Sequence, residues 1–272
     1  MNTLEYHVPA ATNMQIGFAT LPRAGSATHL GLIRRWLDDC DKKHRASTCL
    51  PAKRRDPSSE GPPKKVPTRL IDVRGPTDDR ICLWTTEPED IVEWIALSHQ
   101  WGEGPVHYST RQDNIANHTK GIKLQDLPAT FRDAVLVTRA LGRRYLWIDS
   151  LCIIQGDGGD FQQEAKHMEV YYSGAYCVIA ASCASGHYAG FLQERKSRDS
   201  IALRQVDGQA PFYICQTIDD FKTDVLEGAL NRRGWVLQEH ALARRTIFFT
   251  ENQTYWECGC GVRCETMTRL NK

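Results

Sequence analysis

The sequence predicts an α/β fold, a central parallel sheet flanked by helices and extended by added β-hairpins. Three observations point there. The runs EWIALSHQW (93–101), YLWIDSLCII (145–154) and CVIAAS (177–182) are nearly continuous in apolar residues, the pattern of strands buried on both faces. Helical patterns at 128–141 and 160–174 separate them, and alternating strands and helices build parallel sheets through right-handed crossovers. The chain has 272 residues, 41% of them hydrophobic, enough to fill one sizeable core.

The elements follow in order. Residues 1–30 read as an irregular arm. Leu30, Ile33, Leu37 and Cys40 recur at helical spacing and predict an amphipathic helix at 30–42. PAKRRDPSSEGPPKKVP at 51–67 is an exposed basic linker, so 1–67 forms a lead-in to a domain at 68–265. TRLIDV (68–73) and ICLWTT (81–86), separated by Gly75, Pro76, Asp78 and Asp79, predict a hairpin. The run at 93–101 opens as the first buried strand. The helix at 128–141 has Asp126 as candidate cap, Pro128 in its first turn and Gly142 closing it. The second strand is 145–154. In the helix at 160–174, Phe161, Ala165, Met168 and Tyr172 share a face and Asp160 caps the positive end. The third strand is 177–182. Beyond it come a strand at 212–216, a helix at 232–245 and a hairpin at 246–251 and 253–258. The polar tail, 266–272, is expected to continue in a longer protein.

Composition narrows the function. Lys and Arg number 34 against 33 Asp and Glu, a net charge of +1, without the basic excess of a phosphate-binding protein. No nucleic-acid partner is expected. No apolar stretch reaches the ~18–20 residues that span a bilayer, and the N-terminus does not read as a secretory signal. Of ten cysteines, Cys82, Cys152, Cys177 and Cys215 sit inside apolar runs, where a reduced thiol behaves as a small hydrophobe. A cytoplasmic protein with reduced thiols is the expectation.

In open parallel sheets, ligands bind beyond the carboxyl ends of the strands. That rule selects Ser98, His99, Gln100, Trp101 and Gly102 after the first strand, Asp149, Ser150 and Cys152 after the second, and Ser182, Cys183 and Ser185 after the third. Each is equally a turn or capping residue. The helix at 232–245 adds Arg233, Trp235 and Glu239. Trp235 and Glu239 are four apart and share a face. An aromatic there can stack on a planar ring, and the carboxylate can accept ribose hydroxyls or stabilise positive charge. The alternative is a core tryptophan and a glutamate paired with Arg233 or Arg244.

Known devices are mostly missing. The chain has no P-loop, no GxGxxG after a strand, no GxSxG and no HExxH. Cys152 with His99 is a candidate nucleophilic pair. Cys258, Cys260 and Cys264 form an incomplete ligand set, and so do Cys40, His44 and Cys49. The two could complete each other only if the fold joins the chain's ends. No metal ligand is therefore assigned, and no cofactor is expected.

IALSHQWGEG, YLWIDSLCIIQGD with Glu164, Met168 and Tyr171 after it, and RRGWVLQEHALARRTIFF resemble the three signature blocks of the fungal heterokaryon incompatibility (HET) domain. PTRLIDV and TYWEC fit as well, so the resemblance runs from about 68 to 265. It implies a cell-death effector in non-self recognition, a system akin to innate immunity, controlled by a sensor or regulatory protein. The order of elements also resembles the Toll/interleukin-1 receptor (TIR) domain, with its flavodoxin-like sheet. Ser98, Asp149 and Ser182 stand at the strand ends as they do there. GWVLQE supplies Trp235 and Glu239, with Val236 in place of the TIR motif's cysteine.

Beside a cysteine or metal hydrolase, two readings stay open. One is an NAD glycohydrolase cleaving the nicotinamide–ribose bond. Glu239 would be its catalytic carboxylate, Ser98, Trp101, Gly102, Asp149, Ser182, Arg233 and Trp235 would bind substrate, and NAD would be a substrate rather than a cofactor. The other is a non-catalytic death-signalling domain. Homo-oligomerisation is expected in either case.

Overall fold

The computed structural model describes residues 20–44, 49, 66–87, 89–103, 107–195, 197–203, 212–232 and 239–270. The basic run at 50–65, the start of the arm, and Arg233 to Gln238 lie outside them. Along the chain the structure has α1 (Ala27–Lys43), β1 (Arg69–Asp72), β2 (Arg80–Thr85), β3 (Trp94–Ser98), α2 (Ile115–Lys120), β4 (Ile122–Lys123), α3 (Ala129–Ala140), β5 (Tyr145–Trp147), α4 (Asp149–Cys152), α5 (Phe161–Glu164), α6 (Met168–Gly174) and β6 (Cys177–Ala180). There follow β7 (Ser200–Leu203), β8 (Phe212–Cys215), β9 (Arg245–Phe249), β10 (Thr254–Cys258), β11 (Gly261–Cys264) and β12 (Arg269–Leu270).

Ten strands form one sheet in the order β12-β11-β10-β9-β6-β3-β5-β1-β2-β4. Its centre, β9-β6-β3-β5, is parallel throughout. Antiparallel strands extend both edges, β1, β2 and β4 beyond β5, and β10, β11 and β12 beyond β9. In chain order the parallel strands lie second, first, third, fourth. The chain therefore reverses direction across the sheet between β3 and β6, the crevice where such sheets bind ligands. All five residues of β3 and all four of β6 are buried, as their apolar runs require. β7 and β8 make a separate two-stranded sheet.

Several elements differ from the sequence reading. The 145–154 run leaves the sheet after Trp147, and Asp149–Cys152 forms one helical turn. Leu151, Cys152 and Ile153 are buried there all the same, and burial in a turn is indistinguishable from burial in a strand by hydrophobicity. The helix at 160–174 is a jointed run in which Phe161 is half exposed and Glu164 is buried. Asp160 stands at the N-cap of α5, but its side chain makes no capping bond. Its carboxylate accepts the Ile154 N–H at 2.8 Å and pairs with Arg69. Asp126 lies in a 3-10 turn, and Pro128 itself stands at the N-cap of α3. The helix expected to reach 245 is helical at 239–242 and gives way to β9 at Arg245. Beyond the expected hairpin, β11 and β12 continue the sheet into the tail.

The core is continuous with the N-terminal helix. Ser26 caps α1 by accepting the His29 N–H. Leu32, Ile33, Trp36, Leu37 and Cys40 join the same buried cluster as Trp94, Trp147, Phe131 and Ile247. Among the described residues, no helix is long and apolar enough to cross a membrane.

Candidate functional site at the strand carboxyl ends

Ser98 is the last residue of β3 and only 3% exposed. A hydroxyl buried that deeply needs a partner. It donates to Glu239 Oε2 at 2.6 Å, a charge-assisted bond of the stronger class. Glu239, half-buried in the helical stretch 239–242, lines a cavity of about 190 Å3 with Ala165, Lys166, Met168, Tyr172 and Leu242. The Tyr172 hydroxyl reaches the Leu97 carbonyl at 3.3 Å, so α6 is anchored to β3 one residue before Ser98. The result is a carboxylate positioned by a strand-end hydroxyl, with a lysine on the same cavity wall.

In the loop after β3, Trp101 Nε1 donates to Asp149 Oδ2 at 2.9 Å, and Asp149 Oδ1 accepts the Ser150 N–H at 2.6 Å. This ties the loop after β3 to the turn after β5. Gln100, Trp101, Gly102, Glu103 and Ser185 line a cavity of about 490 Å3, within the usual size range for small-molecule sites. It lies between the loops that follow β3 and β6. Those loops meet at two glycines. Gly102 has φ +88°, and a Cβ on Gly186 would sit 2.8 Å from the Gly102 Cα. Neither position has room for a side chain.

Sequence reasoning missed what stands behind Trp101. His187, 1% exposed, packs against Phe131, His99, His107 and Trp101 with ring centroids 4.6, 5.1, 5.5 and 5.7 Å away. Neither of its ring nitrogens has a hydrogen-bond partner among the described residues. Burial, reinforced by His99, lowers its pKa to about 3 and keeps it neutral. The available signal was Gly186 next to a histidine just after a strand, which has no periodicity to make it visible.

The remaining expected residues are placed as follows. Ser182 is half-buried in the turn after β6, next to Ala181, whose N–H donates to the Ser98 carbonyl. Arg233 and Trp235 lie outside the described residues. Glu239 and Trp101 line two different cavities. Cys152 is fully buried against the backbone of residues 146 and 148, and burial pushes its thiol up to about 12. It is no thiolate nucleophile. Glu164, one of the residues of the second HET block, accepts the Thr68 and Tyr171 hydroxyls at 2.7 and 2.9 Å. The ten cysteines are all thiols. Of the two cysteine sets, Cys40, His44 and Cys49 are joined by Cys258 alone, while Cys264 bonds to Thr266 and Asp219.

A family model described as Heterokaryon incompatibility protein (HET) matches residues 94–239 of the 272. The chain belongs to the HET family. The match runs from the first residue of β3 to Glu239, so it contains β3, β5 and β6, the loops lining the larger cavity, and both partners of the Ser98–Glu239 bond. HET membership ties the chain to a function related to heterokaryon incompatibility. No curated protein and no solved structure matches the chain.

Proposed function

We propose that this HET domain is a cell-death effector that hydrolyses the nicotinamide–ribose bond of NAD, with Glu239 as the catalytic carboxylate and Ser98 as its positioning partner. The observation that carries the reading is the 2.6 Å bond between them at the carboxyl end of β3, beside the point where strand order reverses. The nicotinamide of NAD is a cationic leaving group. When the C1′–N bond breaks, the electron pair departs with neutral nicotinamide and no general acid is needed. The ribose left behind carries oxocarbenium-like charge, which one fixed carboxylate stabilises electrostatically. Water then adds at C1′, giving ADP-ribose and a proton. Trp101, held by Asp149, offers a stacking surface on the wall of the larger cavity, and Lys166 offers a cation to the smaller one.

The test is NAD loss and nicotinamide release by concentrated purified protein. Glu239→Gln should remove both, and with them the toxicity of expression in a host cell, at an unchanged melting temperature. Full toxicity in Glu239→Gln with constant NAD would refute the reading.

One observation favours the second reading, a non-catalytic domain acting by self-association. On the β7–β8 ribbon, Ile201 and Ile214 face each other across the strands at 65% and 60% exposure. Ile201→Ser with Ile214→Ser discriminates the two. If association drives death, the double variant loses toxicity while Glu239→Gln keeps it.

A further inference from the structure

We propose that Cys40, His44, Cys49 and Cys258 form a tetrahedral structural zinc site that fastens α1 to the end of β10. Three separate segments supply the ligands. Cys40 sits in the last turn of α1, and His44 is its C-cap, with its N–H bonded to the Cys40 carbonyl at 3.0 Å. Four residues apart at a helix end, they point the same way. Cys49 lies in a turn beyond them, and Cys258 ends β10. The sequence separates Cys258 from the others by more than two hundred residues, yet all four ligand atoms lie within 4.8 Å of one another.

The spacing is that of a coordination polyhedron. Zinc–sulfur bonds of about 2.3 Å and zinc–nitrogen bonds of about 2.0–2.1 Å give tetrahedral edges of about 3.6–3.8 Å. His44 Nδ1 stands 3.7 Å from Cys49 Sγ and 3.8 Å from Cys258 Sγ. Three thiols and one imidazole are a complete structural zinc set, with no position left for water or substrate. Soft thiolates also select against magnesium and calcium. Cys40, Cys49 and Cys258 are 1%, 0% and 4% exposed, so a bound ion is sealed from solvent.

The surroundings suit the charge. Three thiolates around a dication leave one net negative charge. Arg245, wholly buried, is the cross-strand neighbour of Cys258. It is held by Asp41, next to Cys40, at 2.6 Å, and by the Tyr176 carbonyl at 2.9 Å. Each thiol gives up its proton on binding. Cys260 Sγ lies 4.0 Å from Cys49 Sγ, but the residue is exposed and outside the four.

The test is metal analysis of the full chain, expressed with zinc and purified without chelator. One zinc per chain is expected. His44→Ala and Cys258→Ser should each fall to background, and Cys260→Ser should keep its zinc. A folding failure in a variant does not decide the matter, because wild-type protein supplies a second measurement. A thiol-blocking mercurial should release one equivalent of zinc, and cobalt(II) exchanged into the site should show the intense visible bands of a tetrahedral thiolate complex. Folded wild-type protein without zinc overturns the proposal. So does a disulfide between Cys49 and Cys260 in its place, or zinc kept by His44→Ala and lost by Cys260→Ser.

Discussion

Polar side chains are buried in two regions of this molecule, and they are treated differently. At the sheet edge under α1, charges are matched by partners. Arg195 pairs with Glu265, whose other contacts are the Thr254 N–H at 2.6 Å and His29 at 3.3 Å. His29 is fixed by the Gly25 N–H on Nδ1 and Thr254 on Nε2, and burial together with Arg195 keeps it neutral, with a pKa of about 3. Glu265 therefore meets a guanidinium and a neutral ring. At the strand carboxyl ends, Glu239 and Asp149 are each held by a neutral donor, Ser98 or Trp101. Glu239 and Trp101 border open space, and His187 lacks a partner among the described residues. The first arrangement holds the fold together. The second orients carboxylates by a strand-end hydroxyl and an indole N–H beside open space, the arrangement the proposed charge-stabilising role calls on.

The contrast can be broken at either end. Arg195→Ala leaves the Glu265 carboxylate buried without its cation, and should cost about 3–5 kcal/mol in urea unfolding. A loss near zero would erase the distinction. Acid comes next. His29 and His187 have folded pKa values lowered from 6.5 to about 3, so each binds its proton more readily in the unfolded chain. Their stabilisation is complete above pH 6.5 and is lost as pH falls towards 3. Between pH 6.5 and 5 the loss is about 2 kcal/mol for each, and His187→Phe should remove its share of that slope. Gly186→Ala forces a Cβ against the Gly102 backbone. It should cost about 1–3 kcal/mol and disturb the larger cavity while leaving the α1 edge unchanged. Glu164→Gln keeps the shape of a buried acceptor and should cost about 1 kcal/mol, with NAD consumption unaffected.

The sequence announced the three strands β3, β5 and β6, their parallel arrangement and the residues at their carboxyl ends, because fully buried parallel strands are written as unbroken apolar runs. β9 was legible only as half of a hairpin. Its parallel pairing with β6 is a long-range fact with no local signature. Arg245 read as the basic end of a helix, although it is a buried strand residue paired with Asp41. The helical face at 160–174 was misjudged because Phe161 is apolar and exposed, while Glu164 is charged and buried. Trp101 and Asp149 were both selected, but nothing in their spacing foretold their hydrogen bond. Cys258 was seen as a partial ligand, and only the docking of α1 beside β10 brings Cys40, His44 and Cys49 to it.

The central claim is that Ser98 and Glu239 work as one unit at the end of β3. It is tested most directly by the NAD consumption rates of Ser98→Ala, Glu239→Gln and the double variant, each checked for an unchanged melting temperature. Removing the carboxylate charge should slow the reaction by about a hundredfold or more, the scale of one electrostatic group in a transition state. Ser98→Ala should lower the rate by a smaller factor, and the double variant should be no slower than Glu239→Gln, because a positioning residue has nothing left to position. Rate losses that multiply independently, or an unchanged rate in Glu239→Gln, would contradict the account.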